Sequence, residues 1–512
     1  MTTTHTGPRA GRRQWLGLAV LALPTLLIAM DMTVLHLAVP ALTADLAPTG
    51  TELLWITDSY GFLIAGTLIT MGTLGDRIGR RRLLLIGSAA FGVASVLAAF
   101  SPTALTLILS RALLGVAGAT LMPSTLSLIR TLFTHPRQRT LAVSVWMTCF
   151  AAGTALGPVV GGILLHQFWW GSVFLLGVPV MALLLATGPF LLPETRGERA
   201  AGLDLISVLL SLTAVLTAVY GIKHLAEHGP TGTSLVWLAT GGVLGVVFVR
   251  RQRTLTHPLL DLGLFRNTTF TASLLAQTVT VFAMSGVMFF QGQYLQLVLG
   301  LSPLDAGLWM LPAVAAGVVG TLCAPLLVRW IRPAVLMAAG LTLGAAGLIT
   351  LTWTDSDGGL PVLVAAFTAI QFGLGPTLTL TTDVILSSVP AQRVGSASAL
   401  SETGSELGTA LGIAVLGSVG TALYRGAMTD LPSGLGADAA TAAGDTLGAA
   451  AALADTLPAP LAGDLLSLAR AAFTDAFHGV ALIGTALTLA VAVTVVLTLR
   501  TPPTADTATD AA

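Results

Sequence analysis

A chain of 512 residues that is 54% hydrophobic and only 9% charged is too apolar for a soluble globular fold, where about a quarter of residues carry charge. Its 24 basic and 24 acidic residues cancel, which offers no footprint for nucleic acid, and Cys149 and Cys323 lie in apolar stretches that provide no disulfide framework. The composition is that of an integral membrane protein.

Fourteen stretches are long and apolar enough to cross a bilayer: 14–39, 52–72, 83–101, 104–128, 140–164, 171–192, 203–222, 233–249, 268–291, 304–327, 333–353, 360–386, 396–422 and 474–498. Arg12-Arg13 ahead of the first could open a twin-arginine signal, but the apolar run continues for a full span and many more follow. With the N-terminus inside, 20 of the 24 lysines and arginines fall in cytoplasmic segments. Lys223, Arg425 and Arg470 fall outside, and Arg111 lies within a span. That asymmetry predicts an even number of spans with both termini in the cytoplasm. The predicted layout is a tail to residue 13, a six-span bundle over 14–192, two additional spans over 203–249, a second six-span bundle over 268–498 and a tail from 499. The external segment 423–473 is rich in Ala, Asp and Leu. Its runs 439–454 and 459–472 suit two amphipathic helices, with a disordered Ala-rich linker as the alternative.

Several spans carry polar groups that a lipid-facing helix does not tolerate. Span 1 reads AMDMTVLHLAVP over 29–40, and its intramembrane acid Asp31 is a functional candidate; His36 is a packed polar residue or a titrating one. Span 2 places Asp58 between Trp55 and Tyr60, an acid flanked by aromatics as a cation site requires, although the rings also suit an interfacial belt. Between spans 2 and 3 runs GTLGDRIGRRRLL, residues 72–84. Gly72 and Gly79 let two helix ends approach, Asp76 can accept from N–H groups and arginines, and Arg77 and Arg80 anchor the cytoplasmic face. The stretch returns weakly as APLLVRWIR over 324–332, where Leu326, Arg329 and Arg332 match Leu74, Arg77 and Arg80. Such a repeat suits two halves rocking about a midplane site.

In span 4, LILSRALLGVAGA over 107–119, Arg111 is the only basic residue expected deep in a span, and Asp31 is its natural partner. Span 5 holds GTALGPVVGG, where Gly153, Gly157, Pro158, Gly161 and Gly162 permit close packing and a kink. Span 13 carries Glu402 and Glu406 among small and apolar residues. Their i, i+4 spacing puts both on one face, about 6 Å apart along the axis. Each charge costs roughly 2.5–3.5 kcal/mol near the bilayer centre, so this face looks onto water, a partner charge or a ligand.

These motifs resemble those of the major facilitator superfamily. Residues 72–84 are similar to its loop signature G-x-L-a-D-r-x-G-r-k-x-x-l, and 153–162 to the antiporter signature g-x-x-x-G-P-x-x-G-G. Residues 29–40 resemble l-D-x-T-v-v-n-v-A-l-P of fourteen-span drug–proton antiporters, with His36 replacing the usual Asn. Residues 107–119 resemble l-x-x-x-R-x-x-q-G-x-g-a-a, with Leu114 at the Gln. The resemblance covers about residues 14–500 and is nearest to the quaternary-ammonium and multidrug exporters of the antiseptic-resistance type.

It implies an all-α membrane fold of 14 helices, two six-helix bundles plus two inserted helices. It also implies a monomer in the bacterial plasma membrane that exports hydrophobic cations, drugs, dyes or antiseptics in exchange for protons by alternating access. The proton gradient is the energy source, with no cofactor, metal or nucleic-acid partner. Proton coupling falls to Asp31, Arg111 and Glu406. Substrate binding falls to Asp58, Glu402, Trp55, Tyr60, Trp146, Phe150 and Tyr294. Gating falls to Gly72, Asp76, Arg77, Gly79 and Arg80, and exchange to the motif at 153–162.

Some relatives carry a further acid in span 10, where Gly317 stands here, so monovalent cations are expected to be preferred to divalent ones. There is no G-x-x-x-x-G-K-[ST] for ATP and no nucleophile triad for catalysis. A dedicated exporter of one natural product, or a channel or receptor, remains as an alternative.

Overall fold

The computed structural model describes residues 10–194, 204–255, 258, 262–355, 358–389, 394–429 and 435–498. Helices dominate, and no strand occurs among these residues. The first group is α1 (Arg12–Leu46), α2 (Gly50–Ile78), α3 (Arg80–Ala99), α4 (Ala104–Leu132), α5 (Pro136–Gln167), α6 (Ser172–Leu175) and α7 (Gly177–Leu191). A hairpin follows, α8 (Leu205–His228) and α9 (Gly232–Thr254). The second group is α10 (Thr268–Gln293), α11 (Pro303–Leu327), α12 (Pro333–Thr350), α13 (Leu360–Ser387) and α14 (Val394–Ala427). The short α15 (Ala437–Asp445) and α16 (Leu447–Ala454) precede α17 (Ala459–Thr498).

Local chemistry sets the ends of these helices. Thr49, Thr103, Thr231 and Ser302 each accept an otherwise orphaned N–H three residues on, and Pro303 follows Ser302 at a first-turn position where a missing N–H costs nothing. The α5 helix bends by 42° between Thr154 and Leu156. Thr154 is four residues before Pro158, whose lack of an N–H leaves that carbonyl unused.

Among the described residues twelve helices are long and apolar enough to cross a membrane, and bent α5 makes thirteen. With 29 residues, α2 is about 44 Å long at 1.5 Å per residue, a length compatible with a further crossing.

Packing shows the internal repeat more clearly than sequence does. In the first group α1 packs on α5, α2 on α4, and α3 on α4 and α7. In the second group α10 packs on α14, α11 on α13, and α12 on α13 and α17, which is the same plan. The halves meet through α2 with α14, α5 with α11 and α1 with α10, while α8 touches both α2 and α14. We call the side where α1 begins the near face and the side where it ends the far face.

Close approaches between the halves lie toward the far face. Gln296 donates to the Leu37 carbonyl at 3.0 Å, and a Cβ on Gly417 would stand 2.6 Å from Leu54. A Cβ on Gly162 would stand 2.8 Å from the Pro303 carbonyl. In contrast, Glu402 is exposed although it sits two turns inside α14 from the near face. The halves are thus in close contact toward the far face, while Glu402, toward the near face, is exposed.

Two sequence expectations change here. The stretch 459–472 is not a separate helix: α17 runs unbroken for 40 residues from a first turn holding Pro460, so it joins the last span. Lys223 is not in an external loop. The α8 helix continues to His228 and buries Lys223 completely, so Arg111 is not the only base deep in a span.

Candidate functional site

The centre of the site is an ion pair. Arg111 of α4 holds Asp31 of α1 at 2.8 Å, and both side chains are nearly sealed from solvent. The same guanidinium donates through Nε to the Ile56 carbonyl of α2 at 3.2 Å and lies 4.4 Å over the Tyr60 ring. Three helices are therefore joined at one charge. A buried charge needs this degree of satisfaction, because losing one partner of such a pair costs about 3–5 kcal/mol. A small cavity beside Asp31 is walled by Phe91, Val173, Phe174 and Gly177.

Glu406 of α14 lies near Tyr60 from the other half of the molecule. Glu402 is one turn nearer the near face on the same side of α14. The Tyr60 hydroxyl, Glu406 Oε2 and His36 Nδ1 are buried with no hydrogen-bond partner among the described residues. Unpaired buried polar atoms are rare in folded proteins. These three, on α1, α2 and α14, are polar atoms open to a water, a proton or a ligand. Gln277 of α10 fixes α14 behind the glutamates: its amide nitrogen donates to Ser405 at 2.6 Å, and its oxygen accepts from Ser401 at 3.0 Å.

The other substrate-site candidates lie elsewhere. Asp58 and Trp55 are together, but with Lys223: its Nζ is 2.8 Å from Asp58 Oδ2 and 4.0 Å from the centre of the Trp55 ring. Trp146 is buried against α4, donating to Thr125 at 3.3 Å, and Phe150 lies one turn further along α5. Tyr294 belongs to the far-face packing, because its hydroxyl donates to the Asp355 carbonyl at 2.6 Å and its ring lies 5.5 Å from Phe477. Gly317 faces Gln371 of α13, away from the glutamates.

The antiporter-like motif is a double contact. On α5, Gly153, Gly157 and Gly161 leave no room for a Cβ against Leu26, Thr33 and Val34 of α1. Gly162 and Pro158 approach Pro303, Leu304 and Gly307 of α11, in the other half.

At the near-face elbow between α2 and α3, Gly79 has φ +109°, a backbone conformation suited to glycine. Gly72 meets no neighbour, Arg80 folds back on Gly75 and Arg77 is exposed. The side chain of Asp76 lies outside the described residues. Glu194, at the end of α7, packs onto Gly79, accepts from the Arg81 N–H at 3.2 Å and pairs with the Arg81 side chain at 3.5 Å. Arg81 also donates to the carbonyls of Pro189 and Leu192. A Cβ at Gly79 meets both a left-handed φ and this carboxylate. Gly79→Ala is therefore expected to cost about 1–3 kcal/mol. Export should slow while the relative rates for different substrates stay fixed; a changed substrate profile at an unchanged rate would sink this assignment.

Sequence reasoning missed Lys223, Gln277 and Glu194. For Lys223 a signal existed: it is the only lysine in the chain.

Comparison with known proteins agrees with the architecture. The chain is 46% identical over 499 residues to the multidrug efflux pump LfrA of Mycolicibacterium smegmatis, covering 98% of each. It is 36% identical to the methyl viologen resistance protein SmvA of Salmonella typhimurium, covering 92% of this chain and 95% of that one. It is 33% identical to the tetracenomycin C resistance and export protein of Streptomyces glaucescens, covering 79% and 76%. Among solved structures, a bacterial homolog of the human lysosomal transporter Spinster, inward-facing and unoccupied, shares the fold at a TM-score of 0.68 with 16% identity, over 97% of this chain and all of that one. Residues 21–413 match the sequence profile of the Major Facilitator Superfamily. The protein is a multi-pass membrane transporter that belongs to the Major Facilitator Superfamily.

Proposed function

We propose that the protein is a proton-coupled antiporter that exports hydrophobic cationic drugs, dyes or antiseptics across the bacterial plasma membrane. The observation that carries this reading is the pairing of a satisfied buried charge, Arg111 on Asp31, with the two glutamates of α14 near Tyr60. One group of acids is suited to a cation and another to a proton, and exchange needs both. The near face is the cytoplasmic face in this reading, in keeping with the 20 of 24 basic residues assigned to that side. The conformation described is then open to the cytoplasm, ready to load.

The expected preference for monovalent cations is not carried forward. Glu402 and Glu406 offer two carboxylates with no ion-pair partner among the described residues, and SmvA is named for methyl viologen, a dication. A second reading, a dedicated exporter of one natural product, is favoured by the relative named for tetracenomycin C export. Everted vesicles supplied with a dye cation in the outer medium test the first. An imposed pH gradient is expected to drive dye uptake, and collapsing it to stop uptake. Uptake that never exceeds the electrochemical gradient of the dye would point to a channel. Transport of a single compound from a broad panel would favour the dedicated exporter.

A further inference from the structure

The chain uses arginine for 23 of its 24 basic residues, and its single lysine is buried completely in the membrane-spanning part of α8. Lys223 faces a carboxylate at 2.8 Å and an indole ring at 4.0 Å. A carboxylate beside an aromatic face is the arrangement that holds a hydrophobic cation. The lysine thus occupies a cation site. The pair is otherwise poorly satisfied: no further hydrogen bond reaches either Asp58 oxygen or the ammonium among the described residues, and the surroundings are Phe62, Val219, Ala410 and Ala414. Such a pair gives little stability, because desolvation offsets the attraction unless other hydrogen bonds complete it.

Its position adds a direction. Asp58 shares a face of α2 with Leu54 and Gly61, which lie against Gly417 and Ala410 of α14. Glu406 is one turn from Ala410 toward the near face, and Glu402 one turn further. From the near face the carboxylates come in the order Glu402, Glu406, Asp58, the last of them beside Ala410 where α2, α8 and α14 meet. The first two have no ion-pair partner among the described residues, while the third is filled by a side chain of the inserted hairpin.

We propose that Lys223 is a tethered cation that expels the substrate from Asp58 at the far end of the pathway and then keeps the site closed to substrate returning from outside. The inference rests on the cation-export reading given above. Lysine suits the task better than arginine: a compact ammonium on a flexible stem can leave and return, whereas a guanidinium fork grips a carboxylate in two places. Being tethered, it competes at a high effective concentration without being consumed.

Two measurements test this, with tetraphenylphosphonium as the cation. In the wild-type protein in nanodiscs, amine labelling resolved by peptide mapping reports Lys223 separately from the N-terminus. Saturating tetraphenylphosphonium is expected to raise labelling at Lys223 severalfold, because the bound cation displaces it. In everted vesicles preloaded with tetraphenylphosphonium on the far-face side, Lys223→Gln should be inhibited at about tenfold lower concentration than wild type. Lys223→Gln with Asp58→Asn should return to the wild-type value, since no free carboxylate remains.

Unchanged labelling in a wild-type protein that demonstrably exports tetraphenylphosphonium overturns the proposal. So does Lys223→Gln with wild-type inhibition from the far side. If Lys223→Gln does not fold, the labelling of the wild type decides alone. Failure of the wild type to export any cation under a pH gradient defeats the antiporter reading instead, and is seen in the same control.

Discussion

Asp31→Asn is expected to reduce pH-driven export to the background of empty membranes, while ligand binding at the near face stays within a few-fold of wild type. The amide keeps the shape and one acceptor for Arg111 but not the countercharge, so the fold should lose about 3–5 kcal/mol, the cost of a buried charge left without its partner. What it cannot do is take up and release a proton. Arg111 stays anchored by the Ile56 carbonyl and the Tyr60 face, which separates loss of titration from loss of structure. Arg111→Met is the harsher change and should lower thermal stability further, since it strands Asp31 among α1, α4 and α6. Dye export assayed with and without a pH gradient, beside a melting curve, distinguishes the two. Normal gradient-driven export by Asp31→Asn would remove this acid from the mechanism.

Replacing the glutamates should divide their roles. Glu402 is exposed and one turn nearer the loading side, so it is expected to meet the cation first. Glu406 is deeper, with one oxygen unpaired beside Tyr60 and within reach of the Asp31–Arg111 charges. Two carboxylates one turn apart titrate as a coupled pair, so a cation held by one helps release a proton from the other. Glu402→Gln is expected to weaken dication binding about tenfold or more while monovalent export and substrate-induced proton release persist. Glu406→Gln should leave monovalent binding nearly intact and abolish proton release on binding, read with a pH dye on purified protein. The reverse pattern would exchange the assignments, and silence in both mutants would make this face structural.

Much of this was legible in the sequence. Span positions, the elbow after α2 and the charges that do not belong in lipid all follow from composition and spacing, because a bilayer penalises each misplaced polar group separately. Arg111 was the only base expected deep in a span, and Asp31, an intramembrane acid, was its natural candidate partner. Lys223 could not be read this way. It follows an apolar run at 203–222 and precedes polar residues, the usual signature of a loop, and only its three-dimensional partners Asp58 and Trp55 reveal that the helix continues around it. Gln277 was equally silent, since a lone glutamine in an apolar helix says nothing of Ser401 and Ser405, more than a hundred residues away. Tyr294, Trp146 and Phe150 came with the resemblance, and their residue type does not fix the role. A ring that contacts ligand and a ring that fills a core look the same in a string of letters.

The far-face cap bears on how long the pump stays open. Arg425 pairs with Asp445 at 3.1 Å, and the Tyr424 hydroxyl donates to the Ala443 carbonyl, which ties α15 to α14 in the second half. Gly448, at the start of α16, rests against Thr43 of α1 in the first half. Any movement that parts α1 from α14 at this end has to break one of these attachments. The broken partner does not diffuse away, because it is part of the same chain, so it meets its site again at the high local concentration of a short linker. The cap therefore works as a return spring: it shortens the dwell time of the far-side opening and, by the same stabilisation, shifts the resting population toward the far-closed state.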